Sequence, residues 1–456
     1  MQFINLTRRL EIGANSYLLK TAGHNVLLDA GLHPKASGLD ALPDFSPIGE
    51  EILDAIVLTH AHQDHVGSLP YLTRRHRDTP IYMTPATARV ANIMLHNSVN
   101  VMTRQREDAN IPEYPLFTHR GVELCAESWE LRPIGHAFHP NDSSRNEIKN
   151  MRMRFFDAGH ILGSAGVLIE SEGRTIFYTG DVNFDAQSIL QGAEFPNEGV
   201  DVLIMETTRG DSPSAKNFTR AEEELRFTKS IQEAFDRGGA VTIPVFALGK
   251  TQELLAMLWK MRHQGFLPSV PIYIGGLSSK ITSVYDALTS NTRRNFPELQ
   301  LLQEMSPYVV GGPDIGSLYP RKHCIFALSS GMMSENTLSN IFIRQILEVP
   351  HQSLFFVGYA DPESPAGRVR RTLPGEEVAL QAGGPLLKLK CHRKEFNFSA
   401  HSSRETLLAY AVRLRPKTIV LIHGDMLALE WFRNSLSAAL PQTKIVLPEP
   451  GQTVDL

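Results

Sequence analysis

The sequence predicts an α/β protein in which a second α/β domain, residues 210–390, is inserted into a first formed by 1–209 and 391–456. Three observations carry this prediction. The first two hundred residues alternate short β-branched, aromatic or Leu-rich runs with turns, as buried strands do. After Arg209 a strand–helix–strand rhythm takes over, the pattern of a parallel sheet with crossover helices. At 456 residues the chain also exceeds what one ordinary core accommodates.

Taken in order, Ser16–Leu19 and Val26–Leu28 flank the turn Ala22-Gly23-His24 and read as a hairpin-like pair. Ile52–Leu58, Pro80–Met83, Met151–Phe156, Gly166–Ile169, Thr175–Tyr178 and Val202–Met205 continue the strand series. Thr219 with Glu222 forms a capping box, and Leu225, Ile231, Ala234 and Phe235 supply a helical stripe that Gly238-Gly239 ends. Ala240–Pro244 then reads as a strand, Lys250–Gln264 as a helix stopped by Gly265, and Pro271–Ile274 as a strand. Cys324–Leu328, Ser334–Leu347 and Ser353–Val357 repeat that order. Near Leu386 the texture changes: Leu387–Cys391 and Glu395–Phe398 look strand-like, Ser402 with Glu405 opens a helix, and Thr418–Ile422 is a last long apolar strand.

Composition narrows the function classes. Hydrophobic residues make up 42% and charged residues 21%, which excludes a mostly disordered chain, a collagen-like repeat or a coiled coil. Lys plus Arg number 45 against 49 Asp plus Glu, a net charge of -4, so a nucleic-acid partner needs a local basic patch. Cys125, Cys324 and Cys391 are few and far apart, which fits a reducing compartment. With no signal-peptide pattern and no run of about 18 apolar residues, a cytoplasmic location is expected.

The segment Ile56-Val57-Leu58-Thr59-His60-Ala61-His62-Gln63-Asp64-His65-Val66-Gly67 is the most informative. A buried strand ends and delivers four metal-competent side chains within a few positions. In an extended strand exit, residues two apart point the same way, so His60 and His62 can grip one ion. Asp64 and His65 lie further round the turn, where they can grip a second. Imidazoles with a carboxylate suit zinc or a similar borderline metal. Three more strand ends carry candidate ligands: His160 after Phe155-Phe156-Asp157-Ala158-Gly159, Asp181 after Phe177-Tyr178-Thr179-Gly180, and His423 after Val420-Leu421-Ile422. Together they supply the number and type of ligands that two zinc ions need.

These residues resemble the motifs of the metallo-β-lactamase fold. Asp29 in Leu27-Leu28-Asp29-Ala30-Gly31 is similar to the first motif, His60, His62, Asp64 and His65 to the second, His160 to the third and Asp181 to the fourth. The resemblance implies an αββα sandwich with His60, His62 and His160 on one zinc, Asp64 and His65 on the other, and Asp181 bridging. It gives Asp29 the task of orienting ligands. The insertion resembles the β-CASP domain of nucleases: Glu206 matches the motif A acid, His401 the motif B histidine and His423, a metal candidate, the motif C histidine. VTIPVFALGKTQELL, ALSSGMMSENTL and LFFVGYADPESPAGRV look like further β-CASP segments, and LDAGLHPKASGLDALPDF resembles the start of the pre-mRNA 3′-end-processing endonuclease subunit. Gln63 stands where an apolar residue is common, and Thr208-Arg209 where Thr-Tyr is frequent.

The resemblance implies a zinc-dependent ribonuclease of RNA processing or decay, expected to be endonucleolytic with 5′-exonuclease action left open, and with manganese an alternative metal. Two metals would activate a hydroxide for attack on a phosphodiester, leaving a 5′-phosphate and a 3′-hydroxyl. Asp64, His401 and Glu206 are the catalytic candidates. His401 would protonate the leaving oxygen, held and charged by Glu206. Arg368, Arg370, Arg371, Lys388, Lys390, Arg393 and Lys394 form a basic stretch suited to backbone phosphates. Lys250 and Lys280 are weaker phosphate candidates, and Phe398 and Tyr359 are candidates for base stacking. The motif C histidine favours RNA, expected single-stranded, over DNA, and a homodimer is compatible with the pattern. The competing readings are a DNA nuclease of the same fold, a thioester-type metallohydrolase and a non-catalytic RNA-binding scaffold.

Overall fold

The computed structural model describes residues 1–141, 148, 150–215 and 218–456. They divide into two compact units, one of residues 1–186, 192–214 and 401–456, the other of 187–191 and 215–400.

The first unit contains two seven-stranded sheets. One runs, edge to edge, Thr453–Asp455, Gln2–Asn5, Tyr17–Thr21, His24–Leu28, Ala55–Val57, Ile81–Met83 and Trp129–Leu131. The other runs Lys444–Val446, Thr418–Ile422, Val202–Glu206, Arg174–Tyr178, Ala165–Ser171, Met151–Asp157 and Ala137–Phe138. Alternation sets the layers. Ile176, Tyr178, Val202, Ile204, Val420 and Ile422 pack in one core with Phe3, Tyr17, Val26, Leu28 and Val57 of the facing sheet. Their strand neighbours Phe177, Leu203, Met205, Ile419 and Leu421 point the other way, onto the helices Arg404–Leu414 and Met426–Ala439. This is the α/β sandwich expected.

The second unit holds a six-stranded, wholly parallel sheet ordered Tyr308–Val310, Ile272–Gly275, Ile325–Leu328, Val241–Pro244, Ser353–Phe356, His392–Glu395. The helix Arg220–Asp236 leads into its first strand, and Lys250–His263 and Leu338–Ile346 are among the helices that join its strands, as the strand–helix rhythm predicts.

Several local expectations are corrected. The second unit extends past residue 390, because His392–Glu395 pairs in parallel with Ser353–Phe356 as an edge strand; the strand expected over Glu395–Phe398 therefore starts and ends earlier. Ser402 does not cap the next helix. Ser403 does, accepting from the Thr406 amide at 3.1 Å, while the Ser402 hydroxyl accepts from the Phe184 amide at 2.8 Å. Leu225 is exposed and Phe227 takes its place in the buried stripe. The 24-residue helix Pro85–Asp108 was not anticipated, although Thr84 caps it and Pro85 opens it.

Candidate metal centre

Asp29, His60, His62, Asp64, His65, His160, Asp181, Glu206, His401 and His423 all belong to the first unit. Six strands supply most of them. Asp29, the His60–His65 segment, His160, Asp181 and His423 follow strand C-termini, and Glu206 is the last residue of its strand. Within each sheet those strands run parallel to one another, and contacts among the residues at their C-terminal ends bring the two sheets' ends together.

Backbone geometry turns the side chains inward. Asp29 and His423 hold φ of 59° and 51°, in the left-handed region, which costs about 1 kcal/mol or more each and persists only where the surroundings enforce it. Gly159, at φ 64°, passes so close to Asn183 that a Cβ would sit 2.5 Å from its carbonyl oxygen. At Gly31 a Cβ would lie 1.8 Å from the Asp64 carbonyl oxygen, so only glycine lets this turn lie against the histidine segment.

The donors form two clusters that meet at Asp181. His60, His62, His160 and Asp181 make the first, and Asp64, His65 and His423 the second. In the first, Nε2 of His60 and Nε2 of His160 lie 3.2 and 3.1 Å from Nδ1 of His62, and Oδ2 of Asp181 is 3.5 and 3.6 Å from the same two Nε2 atoms. In the second, Nε2 of His423 is 3.4 Å from Oδ2 of Asp64. Oδ1 of Asp181 is 3.4 Å from Nε2 of His65 and 3.0 Å from Nδ1 of His423.

The donor set fits divalent cations. Oδ1 of Asp181 is buried and accepts no well-aligned hydrogen bond, although imidazole nitrogens of His423 and His65 lie 3.0 and 3.4 Å from it; a buried carboxylate ringed by imidazole nitrogens suits a cation held among them. Three imidazole nitrogens converging within about 3.2 Å cannot all be satisfied by one another's protons.

Asp29 sits one layer back. Its carboxylate accepts from the Thr59 amide and hydroxyl, both at 2.8 Å, from the Tyr178 hydroxyl at 2.6 Å, and lies 2.7 Å from Nδ1 of His65. That contact leaves Nε2 of His65 facing Asp181, which is how a carboxylate behind a ligating histidine works. Tyr178, Thr59 and Asn15, whose amide lies 3.1 Å from Nε2 of His65, escaped sequence reasoning; only their closeness to the ligand-bearing segments could have signalled them. Gln63, unusual by sequence, turns its amide oxygen to the Ser98 hydroxyl at 2.8 Å.

The two clusters titrate in opposite senses. Burial pushes His62 down to about 4, and burial, with repulsion from His65, holds His60 well below its ordinary value. Against burial, Asp181 and Asp29 hold His65 well above it, and Asp181 and Asp64 raise His423 to about 10. Asp64, despite burial, is drawn down to about 2 by His423 and His65.

Glu206 and His401 form a third group with Asp181. The Glu206 carboxylate is buried and accepts from the Val182 amide at 2.7 Å, and it faces Nδ1 of His401 at 3.1 Å. Nε2 of His401 lies 3.9 Å from Oδ2 of Asp181. Burial works against a charged His401, but Glu206 and then Asp181 outweigh it and hold the imidazole above its ordinary value.

The basic stretch lies in the second unit, and much of it is engaged there. Arg370 pairs with Glu395 at 2.6 Å, Lys394 with Glu233 at 2.6 Å, Arg393 donates to the Val369 and Thr372 carbonyls, and Arg368 to those of Glu363 and Ala379. Among the described residues Arg371 and Lys390 make only long ion pairs, 3.7 Å to Glu363 and 3.8 Å to Glu348, and Lys388 is exposed. Lys250 donates to the Phe398 carbonyl, and Lys280 is exposed. Phe398 is buried, with Arg220 over its ring, whereas Tyr359 is exposed.

Two facing sheets with histidines and aspartates gathered at one edge define a metallo-β-lactamase-type protein. Residues 10–220 match the metallo-beta-lactamase superfamily, 251–369 the Beta-Casp domain, and 386–448 a family described as Zn-dependent metallo-hydrolase RNA specificity domain. The chain belongs to the metallo-β-lactamase superfamily, among its members that carry a β-CASP domain. It is 30% identical over 457 residues to cleavage and polyadenylation specificity factor subunit 3 of Dictyostelium discoideum, covering 98% of this chain and 56% of the relative. Endoribonuclease ysh1 of Schizosaccharomyces pombe is 27% identical, over 98% of this chain and 57% of the relative. An RNase J-like protein of Methanocaldococcus jannaschii is 27% identical over 91% of this chain and 90% of its own length. The chain thus spans little more than half of the eukaryotic relatives. A solved structure of a protein of unknown function from Enterococcus faecalis shares the fold, with a TM-score of 0.58 at 13% identity over 100% of this chain and 99% of that one. Among the described residues no helix is long and apolar enough to cross a membrane.

Proposed function

We propose that the chain is a zinc-dependent ribonuclease that cuts RNA phosphodiester bonds internally, in RNA processing or decay. One observation carries this reading: Asp181 is shared by two donor clusters, and His401 reaches over it from its own buried carboxylate partner. The relatives named as endoribonucleases and the RNA specificity domain support the choice of substrate. His60, His62, His160 and Asp181 would hold one ion, and Asp64, His65, His423 and Asp181 the other; the imidazole-rich set suits zinc, and manganese is the alternative. When bound, two such ions lower the pKa of water and neutralise charge on a phosphoryl group.

The chain's own groups complete the reaction. Glu206 occupies Nδ1 of His401, so the transferable proton sits on Nε2, the atom turned toward Asp181. As the oxygen of a deprotonated water bonds to phosphorus and the bond to the 3′-oxygen breaks, that proton passes to the departing oxygen, leaving a 3′-hydroxyl and a 5′-phosphate that carries the water's oxygen. Asp29 and the Glu206 carboxylate keep these imidazoles from turning. Single-stranded RNA is the fitting substrate, and Arg371, Lys388 and Lys390 are the exposed cations available to its phosphates. Three buried free cysteines suit the reducing cytoplasm.

End-group analysis tests the chemistry. An internally labelled RNA should yield fragments with 5′-phosphate and 3′-hydroxyl ends; 2′,3′-cyclic phosphate ends would mean that the RNA's own 2′-hydroxyl attacked, and the assignment would fail.

A further inference from the structure

The turn after Glu206 carries a cation that the reaction scheme above leaves without a task. Thr207, Thr208, Arg209 and Gly210 leave the strand Val202–Glu206 and are fixed on all sides. The Thr207 hydroxyl donates to the Ile422 carbonyl at 2.9 Å and its amide to the His423 carbonyl at 3.2 Å. The Thr208 hydroxyl lies 3.0 Å from Nδ1 of His423. The Gly210 carbonyl accepts from Arg404 at 3.0 Å, and a Cβ on Gly210 would meet the Ala428 carbonyl oxygen at 2.4 Å. Arg209 therefore springs from a rigid turn wedged between the Glu206 strand and the His423 loop.

Its side chain is half-buried. Glu405, Glu206 and Asp185 are its electrostatic neighbours, yet among the described residues none of them makes an ion pair or hydrogen bond with it. Glu405 is instead engaged by Arg404 at 3.1 Å and by the Ser214 hydroxyl at 2.9 Å, and Glu206 by His401 and two backbone amides. A guanidinium that is partly desolvated and left unpaired keeps its donors for an incoming acceptor, and its planar fork matches a phosphate. The acids nearby counterbalance its charge without occupying its donors.

We propose that Arg209 binds a backbone phosphate of the nucleic acid, next to the bond being cut, and so positions the strand over the Glu206–His401 pair. This rests on the ribonuclease reading for the identity of the strand, and the contact lies inside the first unit. Arg209 is a positioning residue: it holds the substrate and transfers no proton.

Equilibrium binding of a labelled single-stranded RNA dodecamer to the metal-loaded full chain tests it, in a His401→Ala background so that the ligand survives. Arg209→Gln should weaken binding about fivefold at 100 mM salt and reduce the slope of log affinity against log salt by about 0.7, the loss of one single-strand phosphate contact. Arg209→Lys should restore most of the slope. Metal content and melting temperature should be unchanged, which a structural role for Arg209 would not permit. An Arg209→Gln protein with the original affinity and slope overturns the inference, and so does the absence of any RNA binding by the parent. If the otherwise unaltered chain fails to cut RNA while Arg209-dependent binding persists, the ribonuclease reading fails and the phosphate site stands.

Discussion

Glu206 faces Nδ1 of His401 with both carboxylate oxygens, at 3.1 and 3.2 Å. The carboxylate thereby fixes the ring's tautomer and favours its charged form. The general-acid role proposed for His401 is worth about 10²–10⁴-fold in rate, so on that proposal His401→Ala should lower kcat by that order with metal content unchanged. Because His401 is held above its ordinary value, kcat should persist to a pH above that of a free imidazole. Glu206→Gln should move the alkaline limb of the kcat profile to lower pH; an unmoved limb would show that another group supplies the proton.

Asp29 lies 2.7 Å from Nδ1 of His65, and in the proposed site it would act through that imidazole rather than on a metal. Asp29→Asn should therefore weaken metal binding about 10- to 100-fold, measured by competition with a chelating dye, and excess metal should restore most of the activity. Activity that stays lost when metal content is full would contradict this division of labour.

Metal removal should leave a protein whose stability depends on pH in two directions. His423, raised to about 10, adds stability that is complete below its unfolded value of about 6.5 and is lost as pH climbs through 10. His62, lowered to about 4, adds stability that is present above about 6.5 and is lost as pH falls through 4. The melting temperature of chelator-treated protein should thus decline on both sides of about pH 6.5, while metal-loaded protein stays flat toward alkaline pH. A metal-free melting temperature that rises from pH 7 to 10 would contradict the assignment.

Gly31 marks where the fold tolerates no side chain. Gly31→Ala would drive a Cβ to 1.8 Å from the Asp64 carbonyl oxygen and 2.7 Å from the Asn15 amide nitrogen. Displacing that segment should cost about 2 kcal/mol or more and reduce bound metal, read by calorimetry and elemental analysis. Unchanged metal content would show that the histidine segment is held without this contact.

The sequence made the candidate metal ligands legible because each follows a short apolar run, and a run of that kind ends at a sheet edge wherever the sheet lies. Contacts between distant positions were not legible. Tyr178 and Asp29 are far apart in the chain and meet only when the two sheets face each other. The same reason hid the partners of the basic stretch: Arg370 and Lys394 look like free cations until the fold brings Glu395 and Glu233 to them. At Ser402 the signal pointed at the wrong neighbour, since either of two adjacent serines can cap a helix and tertiary contact with Phe184 decided between them. The helix Pro85–Asp108 was missed although its Thr-Pro start is a standard one.

The most direct measurement incubates metal-loaded protein with single-stranded RNA and single-stranded DNA of one sequence, beside a His62→Ala, Asp64→Ala double variant that lacks one donor from each cluster. The account predicts internal cleavage of the RNA, abolished in the double variant. Cleavage of DNA alone, or RNA cleavage that survives the loss of both donors, would contradict it.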